Sequence, residues 1–152
     1  MTSAVKSSLK TAFSAAILAL GAAVSPALAD DDDTLVTILT APDAQTQMMA
    51  MVLTMKSAEQ GVRPHVLLCG PAADMALKDA PDSATAPQKP LGVGPQALMQ
   101  KIAGLPGAKV EVCAIYLPNK DVGPEVLLDG VGVAAPDAMA KAMLEADARM
   151  SF

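Results

Sequence analysis

The sequence has very few aromatic side chains: no tryptophan, one tyrosine and two phenylalanines among 152 residues. Proteins that bind unpaired bases stack them on such side chains, so this mode of recognition is disfavoured here. The formal net charge of −5 also repels phosphate backbones. We therefore expect no nucleic-acid partner, and we expect a core built from aliphatic side chains and methionine.

Residues able to do chemistry are also few, with one histidine, His65, and two cysteines, Cys69 and Cys113. The sequence contains no CxxC pair, no HExxH motif and no phosphate-binding glycine motif. His65 precedes Cys69 by four residues in a predicted strand, a separation of about 13 Å, so the two cannot hold one metal ion. We interpret His65 as a structural or surface imidazole, which leaves the two thiols as the main candidates for a site.

The first 29 residues have the three parts of a secretory signal peptide. Lys6 and Lys10 precede the apolar run TAFSAAILALGAAV, and Pro26 then leads to a small-residue cleavage site ending at Ala29. The apolar run is shorter than the roughly 20 residues that span a bilayer. We predict cleavage after Ala29 and a periplasmic protein with no membrane partner. An uncleaved membrane anchor is the alternative.

A strand, a helix and a second strand follow the acidic leader Asp30–Asp33. TLVTILTAP has the apolar, β-branched composition of a buried strand. In AQTQMMAMVLTMKSAEQG, apolar residues including Met48, Met51 and Met55 recur at helical spacing, and Gly61 ends the helix. RPHVLLCG is the second strand. This βαβ unit implies a parallel sheet.

The rest of the chain continues the alternation of strands and helices. A proline-rich loop between residues 71 and 95 leads to the helix PQALMQKIAGLPG and the third strand AKVEVCAIYL. KDVGPEVLLDG suggests a short helix, VGVAAP a fourth strand, DAMAKAMLEADA a helix and RMSF a small fifth strand. We predict one α/β domain over residues 34–152, with three α/β/α layers and a mainly parallel sheet of four to five strands.

This order of elements resembles the DsrE/DsrF-like (DsrEFH/YchN-like) family. The similarity rests on ILTAPDAQTQMMAMVLTMKSAEQG, PHVLLCGPAADMAL, GAKVEVCAIYLPNKDV and the terminal ARMSF. The resemblance implies that the cysteine ending the strand VEVCAI, Cys113, accepts and passes on a persulfide sulfur from protein donors to protein acceptors. It also implies a homo-oligomer, a trimer or a hexamer. Relay members often have Arg-Gly after this cysteine, where this chain has Leu117-Pro118-Asn119-Lys120.

The predicted position of Cys113 suits a reactive thiol. The carboxyl ends of parallel strands feed the loops that form ligand crevices, so we expect Cys113 to be reachable by solvent. A nucleophilic thiol must ionise, which requires a positive charge or amide donors nearby. Lys120, Asn119 and the amides of residues 116–122 are the nearest candidates. The alternative is that Cys113 is a small buried hydrophobe.

Cys69 ends the second strand and should open onto the same edge of the sheet. A disulfide to Cys113 is feasible if the second and third strands are neighbours, but not if the first strand lies between them. Doubly wound sheets commonly place the first strand there. We therefore expect two separate thiols, with a structural disulfide as the alternative.

The ten methionines suggest a second hypothesis, copper handling. Thioethers and thiolates favour Cu(I), and Cys113, Cys69, Met75 and Met99 are the candidate ligands. Methionine is also ordinary filling for a core poor in aromatics. The sequence thus predicts a sulfur carrier without a cofactor, with a Cu(I)-binding protein or a non-catalytic oligomeric scaffold as alternatives.

Overall fold

The computed structural model describes residues 33–152, so the predicted signal peptide and nearly all of the acidic leader lie outside the described residues. No helix within the described range is long and apolar enough to cross a membrane. The elements follow in chain order: β1 Thr34–Leu39, α1 Ala44–Ala58, β2 Arg63–Leu68, a 3₁₀ helix Gly70–Ala76, α2 Asp82–Thr85, α3 Pro95–Ala103, β3 Lys109–Cys113, α4 Tyr116–Asn119, a second 3₁₀ helix Pro124–Val126, β4 Val131–Ala134, α5 Pro136–Glu145 and β5 Ala148–Ser151.

The five strands form one sheet in which every neighbouring pair is parallel. Strands of such a sheet are covered on both faces, which explains their apolar composition. Alternate residues of β2 enter different clusters: Val66 and Leu68 belong to the larger core, and Leu67 belongs to the smaller one. This division confirms the predicted α/β architecture with helices on both faces of the sheet.

The strand order is β4-β3-β2-β1-β5, which differs from the predicted placement of the first strand. The crossovers from β1 to β2, from β2 to β3 and from β3 to β4 all step in the same direction across the sheet. Only the last crossover, through α5, returns the chain to the far side of β1. The first strand therefore does not separate β2 from β3, and these two strands are hydrogen-bonded neighbours.

The larger core lies between the sheet and helices α1 and α3, and the smaller one lies under α5. Aliphatic and methionine side chains fill the larger core, as the composition predicts. Its large members include Leu39, Met48, Met51, Leu68, Met75, Met99 and Ile102. The smaller core is formed by Val36, Leu67, Ala134 and Ala146.

Two element boundaries differ from the sequence prediction. The predicted strand AKVEVCAIYL ends at Cys113, because the backbone of Ile115 is already helical and α4 begins at Tyr116. The helix predicted in KDVGPEVLLDG is only the 3₁₀ helix Pro124–Val126. The early end of β3 matters for function, since it places Cys113 at the edge of the sheet.

Replacing Asp43 by alanine is expected to lower the thermal midpoint near neutral pH. The Asp43 side chain caps α1 by accepting a hydrogen bond from the Thr46 amide at 2.8 Å. That bond lowers the pKa of Asp43. Because the pKa of Asp43 is lower in the folded than in the unfolded protein, its ionised carboxylate stabilises the fold at pH values above the ordinary aspartate pKa. This stabilisation is lost as the pH falls through the lowered pKa.

The measurement is the thermal midpoint of the wild type and variants, followed by circular dichroism from neutral pH to about pH 3. The difference in thermal midpoint between the wild type and Asp43→Ala should shrink as the pH falls. Asp43→Asn keeps a capping oxygen without the titrating group, so its midpoint should not show this acid-dependent loss. A deficit of Asp43→Ala that is independent of pH would contradict the assignment.

Candidate functional site: the cysteine pair at the carboxyl edge

Cys69 and Cys113 are joined by a disulfide, with Cα atoms 5.2 Å apart and a sequence separation of 44 residues. The register of the sheet explains the pairing. Leu68 of β2 lies opposite Val112 of β3, so the next residue of each strand brings the two cysteines together. The expectation of two separate thiols is wrong, because it depended on β1 lying between these strands.

The disulfide lies at the carboxyl edge of the sheet, where ligand crevices form in open α/β folds. The amide of Cys69 donates to the carbonyl of Leu39 at 2.9 Å, and the amide of Ala114 donates to that of Ala134 at 3.0 Å. Cys69 is half-buried, whereas Cys113 is only 5 % exposed. The expectation of a solvent-reachable Cys113 is therefore wrong for the disulfide form, since β2 and β4 flank it on both sides.

A polar cluster connects the segments that follow the two cysteines. Asp74 lies in the 3₁₀ helix after Cys69, and its Oδ1 accepts a hydrogen bond from the Tyr116 hydroxyl at 2.6 Å. Lys120 Nζ lies 2.6 Å from the same oxygen and 5.3 Å from the centre of the Tyr116 ring. The ammonium predicted to assist Cys113 thus pairs with Asp74, and the cluster holds the two segments together across the disulfide.

Burial raises the pKa of Tyr116 well above its ordinary value, and the hydrogen bond to the Asp74 carboxylate and its charge raise it further. The phenol is therefore neutral at physiological pH and remains a donor to Asp74. Asn119, the other predicted supporting residue, donates from Nδ2 to the carbonyl of Ile115 at 2.6 Å. This bond joins the last residue of α4 to the residue just before the helix, so Asn119 fixes the local turn after Cys113.

An open cleft of about 400 Å³ lies between the segments that follow the two cysteines. Its walls combine backbone next to Cys69 with the exposed side chain of Ile115, which is 67 % exposed two residues after Cys113. Residues that follow each cysteine line the cleft, although neither cysteine itself does. Its lining residues are Gly70, Pro71, Asp74, Ile115, Tyr116, Asn119 and Lys120.

Sequence reasoning missed Asp74 and Tyr116 as parts of this site. The two residues are 42 positions apart, so only the tertiary fold brings them together. One signal was present, since Tyr116 is the only tyrosine and lies three residues after Cys113. No comparable signal pointed to Asp74.

His65 has a structural partner on the neighbouring strand. Its Nε2 lies 2.6 Å from Oε2 of Glu111, and both side chains are mostly buried. A buried imidazole needs such a partner, because an unpaired polar group inside a protein is costly. The pair supports the interpretation of His65 as a structural imidazole.

The four candidate copper ligands do not form an open site. Met75 and Met99 are fully buried in the larger core, and both cysteine sulfurs are engaged in the disulfide. Across residues 33–152, no group of three or more histidine, cysteine, aspartate or glutamate side chains is placed to hold a metal ion. Cu(I) binding stays a prediction, and it would require reduced cysteines.

Neither a protein-family model nor a curated protein matches this sequence. Solved structures do match. The ychN protein from E. coli aligns with a TM-score of 0.62 and 19 % identity, covering 80 % of this chain and 99 % of that one. MTH1491 from Methanobacterium thermoautotrophicum, described as a protein of unknown function, aligns with a TM-score of 0.59 and 15 % identity, covering 80 % and 100 %. The chain therefore has the DsrE/YchN-like fold that its resemblance to the DsrE/DsrF-like family implies.

Proposed function

We propose that this protein is an exported sulfur carrier that works through Cys69 and Cys113. The observation that carries the proposal is the disulfide at the carboxyl edge, because it includes the cysteine to which the resemblance assigns a persulfide. Residues that follow both cysteines line an open cleft. Disulfides persist in oxidising compartments, which supports a periplasmic location after signal cleavage. The donor and acceptor are sulfur-transfer proteins.

The carrier accepts sulfur in its reduced, dithiol form. The Cys113 thiolate attacks the terminal sulfur of a donor persulfide, a new S–S bond forms, and the donor leaves as a thiolate. The product is a persulfide on Cys113. Because Cys113 is buried in the disulfide form, this step requires its sulfur to become accessible once the disulfide has opened.

The carried sulfur leaves Cys113 by one of two reactions. An acceptor thiolate can attack the terminal sulfur and take it, which regenerates the Cys113 thiolate. Alternatively, the Cys69 thiolate attacks Cys113 Sγ, hydrosulfide leaves, and the disulfide forms again. In the second step the carried sulfur is reduced to sulfide while the two thiols are oxidised, so an external dithiol must reduce the protein before the next round.

The proposal includes the homo-oligomer that the resemblance implies, a trimer or a hexamer. Helix α5 has no fully buried residue, and its Leu144 is exposed. Large exposed apolar side chains are common at subunit contacts. Helix α5 contributes no residue to the lining of the cleft, so this surface and the cleft are separate.

Sulfur acceptance can be tested with single-cysteine variants. We expect Cys69→Ser, incubated with a low-molecular-weight persulfide, to gain one sulfur atom on the tryptic peptide of residues 110–120, because the discharging thiol is absent. Cys113→Ser should gain none. Mass spectrometry of the digests measures both.

The two variants are matched controls, since each lacks the disulfide and keeps one thiol. Acceptance by Cys113→Ser equal to that of Cys69→Ser would contradict the role of Cys113. Failure of both variants and of the reduced wild type to accept sulfur would overturn the proposed function itself.

A further inference from the structure

Both cysteines follow inner strands of the sheet, but they are buried to different degrees, since Cys113 is only 5 % exposed and Cys69 is half-buried. Cys113 is the last residue of β3, an inner strand, and lies opposite the buried Ala134 of β4. The amide of Ala114 continues this ladder by one more hydrogen bond to Ala134. Little of Cys113 is therefore open to an incoming molecule.

Cys69 lies just beyond the end of its strand. β2 ends at Leu68, and the 3₁₀ helix begins at Gly70, which is exposed. Gly70 has a φ of +54°, and a Cβ built there would have no heavy atom within 4 Å. The half-buried Cys69 is thus followed by an exposed residue that has no side chain.

Thiol–disulfide exchange depends on which sulfur the attacking thiolate can reach. From the difference in cover we infer that an external thiol opens the disulfide at Cys69 and sets Cys113 free. The thiolate forms a bond to Cys69 Sγ, and the bond between the cysteine sulfurs breaks. Its electron pair goes to Cys113, which leaves as a thiolate. A second external thiol then releases the first as a disulfide and completes the reduction.

This order of events rests on the proposed function and adds which cysteine the reductant attacks. The molecule that reduces the protein forms its covalent intermediate with Cys69. The thiolate that leaves is Cys113, the residue proposed to carry the persulfide. Cys69 is thus the exchange cysteine, and Cys113 is the thiol that becomes free for sulfur transfer. The open cleft includes Gly70 and Pro71, the two residues that follow Cys69, although neither cysteine itself lines it.

The oxidised wild-type protein tests this order directly. It is treated briefly with glutathione, excess N-ethylmaleimide is then added to consume the remaining glutathione and to capture the protein thiolate that has left, and the protein is digested with trypsin. We expect glutathione on the peptide of residues 57–78, which contains Cys69, and maleimide on the peptide of residues 110–120. The opposite labelling, equal labelling, or no adduct at either cysteine would overturn the inference.

Urea provides the control for this labelling. In the unfolded oxidised protein the two cysteines should take up glutathione equally, which separates access in the fold from intrinsic reactivity. A preference for Cys69 that persists unchanged in urea would count against the inference. Sulfur acceptance is measured separately, so failure of this exchange order leaves the proposed function standing.

Discussion

Replacing either cysteine by serine is expected to lower the free energy of unfolding by about 4 kcal/mol. The disulfide closes a loop over a sequence separation of 44 residues. Closing such a loop restricts the unfolded chain, and the loss of entropy grows with loop length. The variant chain regains that freedom when it unfolds, so the folded state loses its relative advantage.

Urea unfolding of the wild type, with and without reductant, and of both variants measures this effect. The reduced wild type and the two variants should have similar free energies of unfolding, all below that of the oxidised wild type. Reductant should not change either variant, which is the internal control. A wild type whose unfolding midpoint is indifferent to reductant would contradict the disulfide.

The size of this effect bears on the proposed cycle. Small domains are stable by roughly 5–15 kcal/mol, so a loss of about 4 kcal/mol leaves room for a folded dithiol form. The cluster of Asp74, Tyr116 and Lys120 links the segments after the two cysteines without using either sulfur. We therefore expect the reduced protein to keep its thiols close together and ready to form the disulfide again.

Replacing Met99 by alanine is expected to cost about 2–5 kcal/mol of unfolding free energy. Its side chain is fully buried in the larger core. Truncation removes apolar burial and leaves a cavity that the packed surroundings refill only in part. Met99→Leu keeps most of the volume and should cost less than about 1.5 kcal/mol.

Met49→Ala is the matched surface control, since Met49 is 51 % exposed. Its unfolding free energy should stay close to that of the wild type when all three variants are compared in urea. The series also addresses copper. If Met99 only fills the core, Met99→Leu should leave any Cu(I) uptake by the reduced protein unchanged. A selective loss of uptake in Met99→Leu would favour the copper hypothesis instead.

Much of the fold could be predicted because each strand and helix carries its own signal. The apolar, β-branched run of β1 and the methionine stripe of α1 mark a βαβ unit, and that unit implies a parallel sheet. The end of β3 was harder, since CAIYL is as apolar as a strand, and only the helical backbone from Ile115 stops it.

The order of strands could not be read from local patterns. Two strand orders are compatible with these elements, the observed one and one with β1 between β2 and β3. They differ only in the direction in which the crossover from β2 to β3 runs across the sheet. That choice decides whether Cys69 and Cys113 meet. It also explains why sequence reasoning identified both cysteines and the edge they share, yet favoured two separate thiols.

The role of Lys120 shows a similar limit. Its proximity to Cys113 in the sequence suggested a partner for the thiolate, but the Asp74 carboxylate holds the ammonium at 2.6 Å. The ion pair forms because the fold brings Asp74, which belongs to another segment of the chain, next to Lys120. Distance along the sequence therefore predicted the presence of a cation near the site but not its partner.

A single anaerobic turnover reports on both cysteines at once. The fully reduced protein is mixed with one equivalent of a persulfide donor, and released sulfide and the linked peptides of residues 57–78 and 110–120 are quantified together. We predict that sulfide and the linked peptides appear in equal amounts, because discharge of the Cys113 persulfide by Cys69 produces both. Sulfide without the linked peptides, or neither sulfide nor a persulfide on the peptide of residues 110–120, would contradict the proposed function.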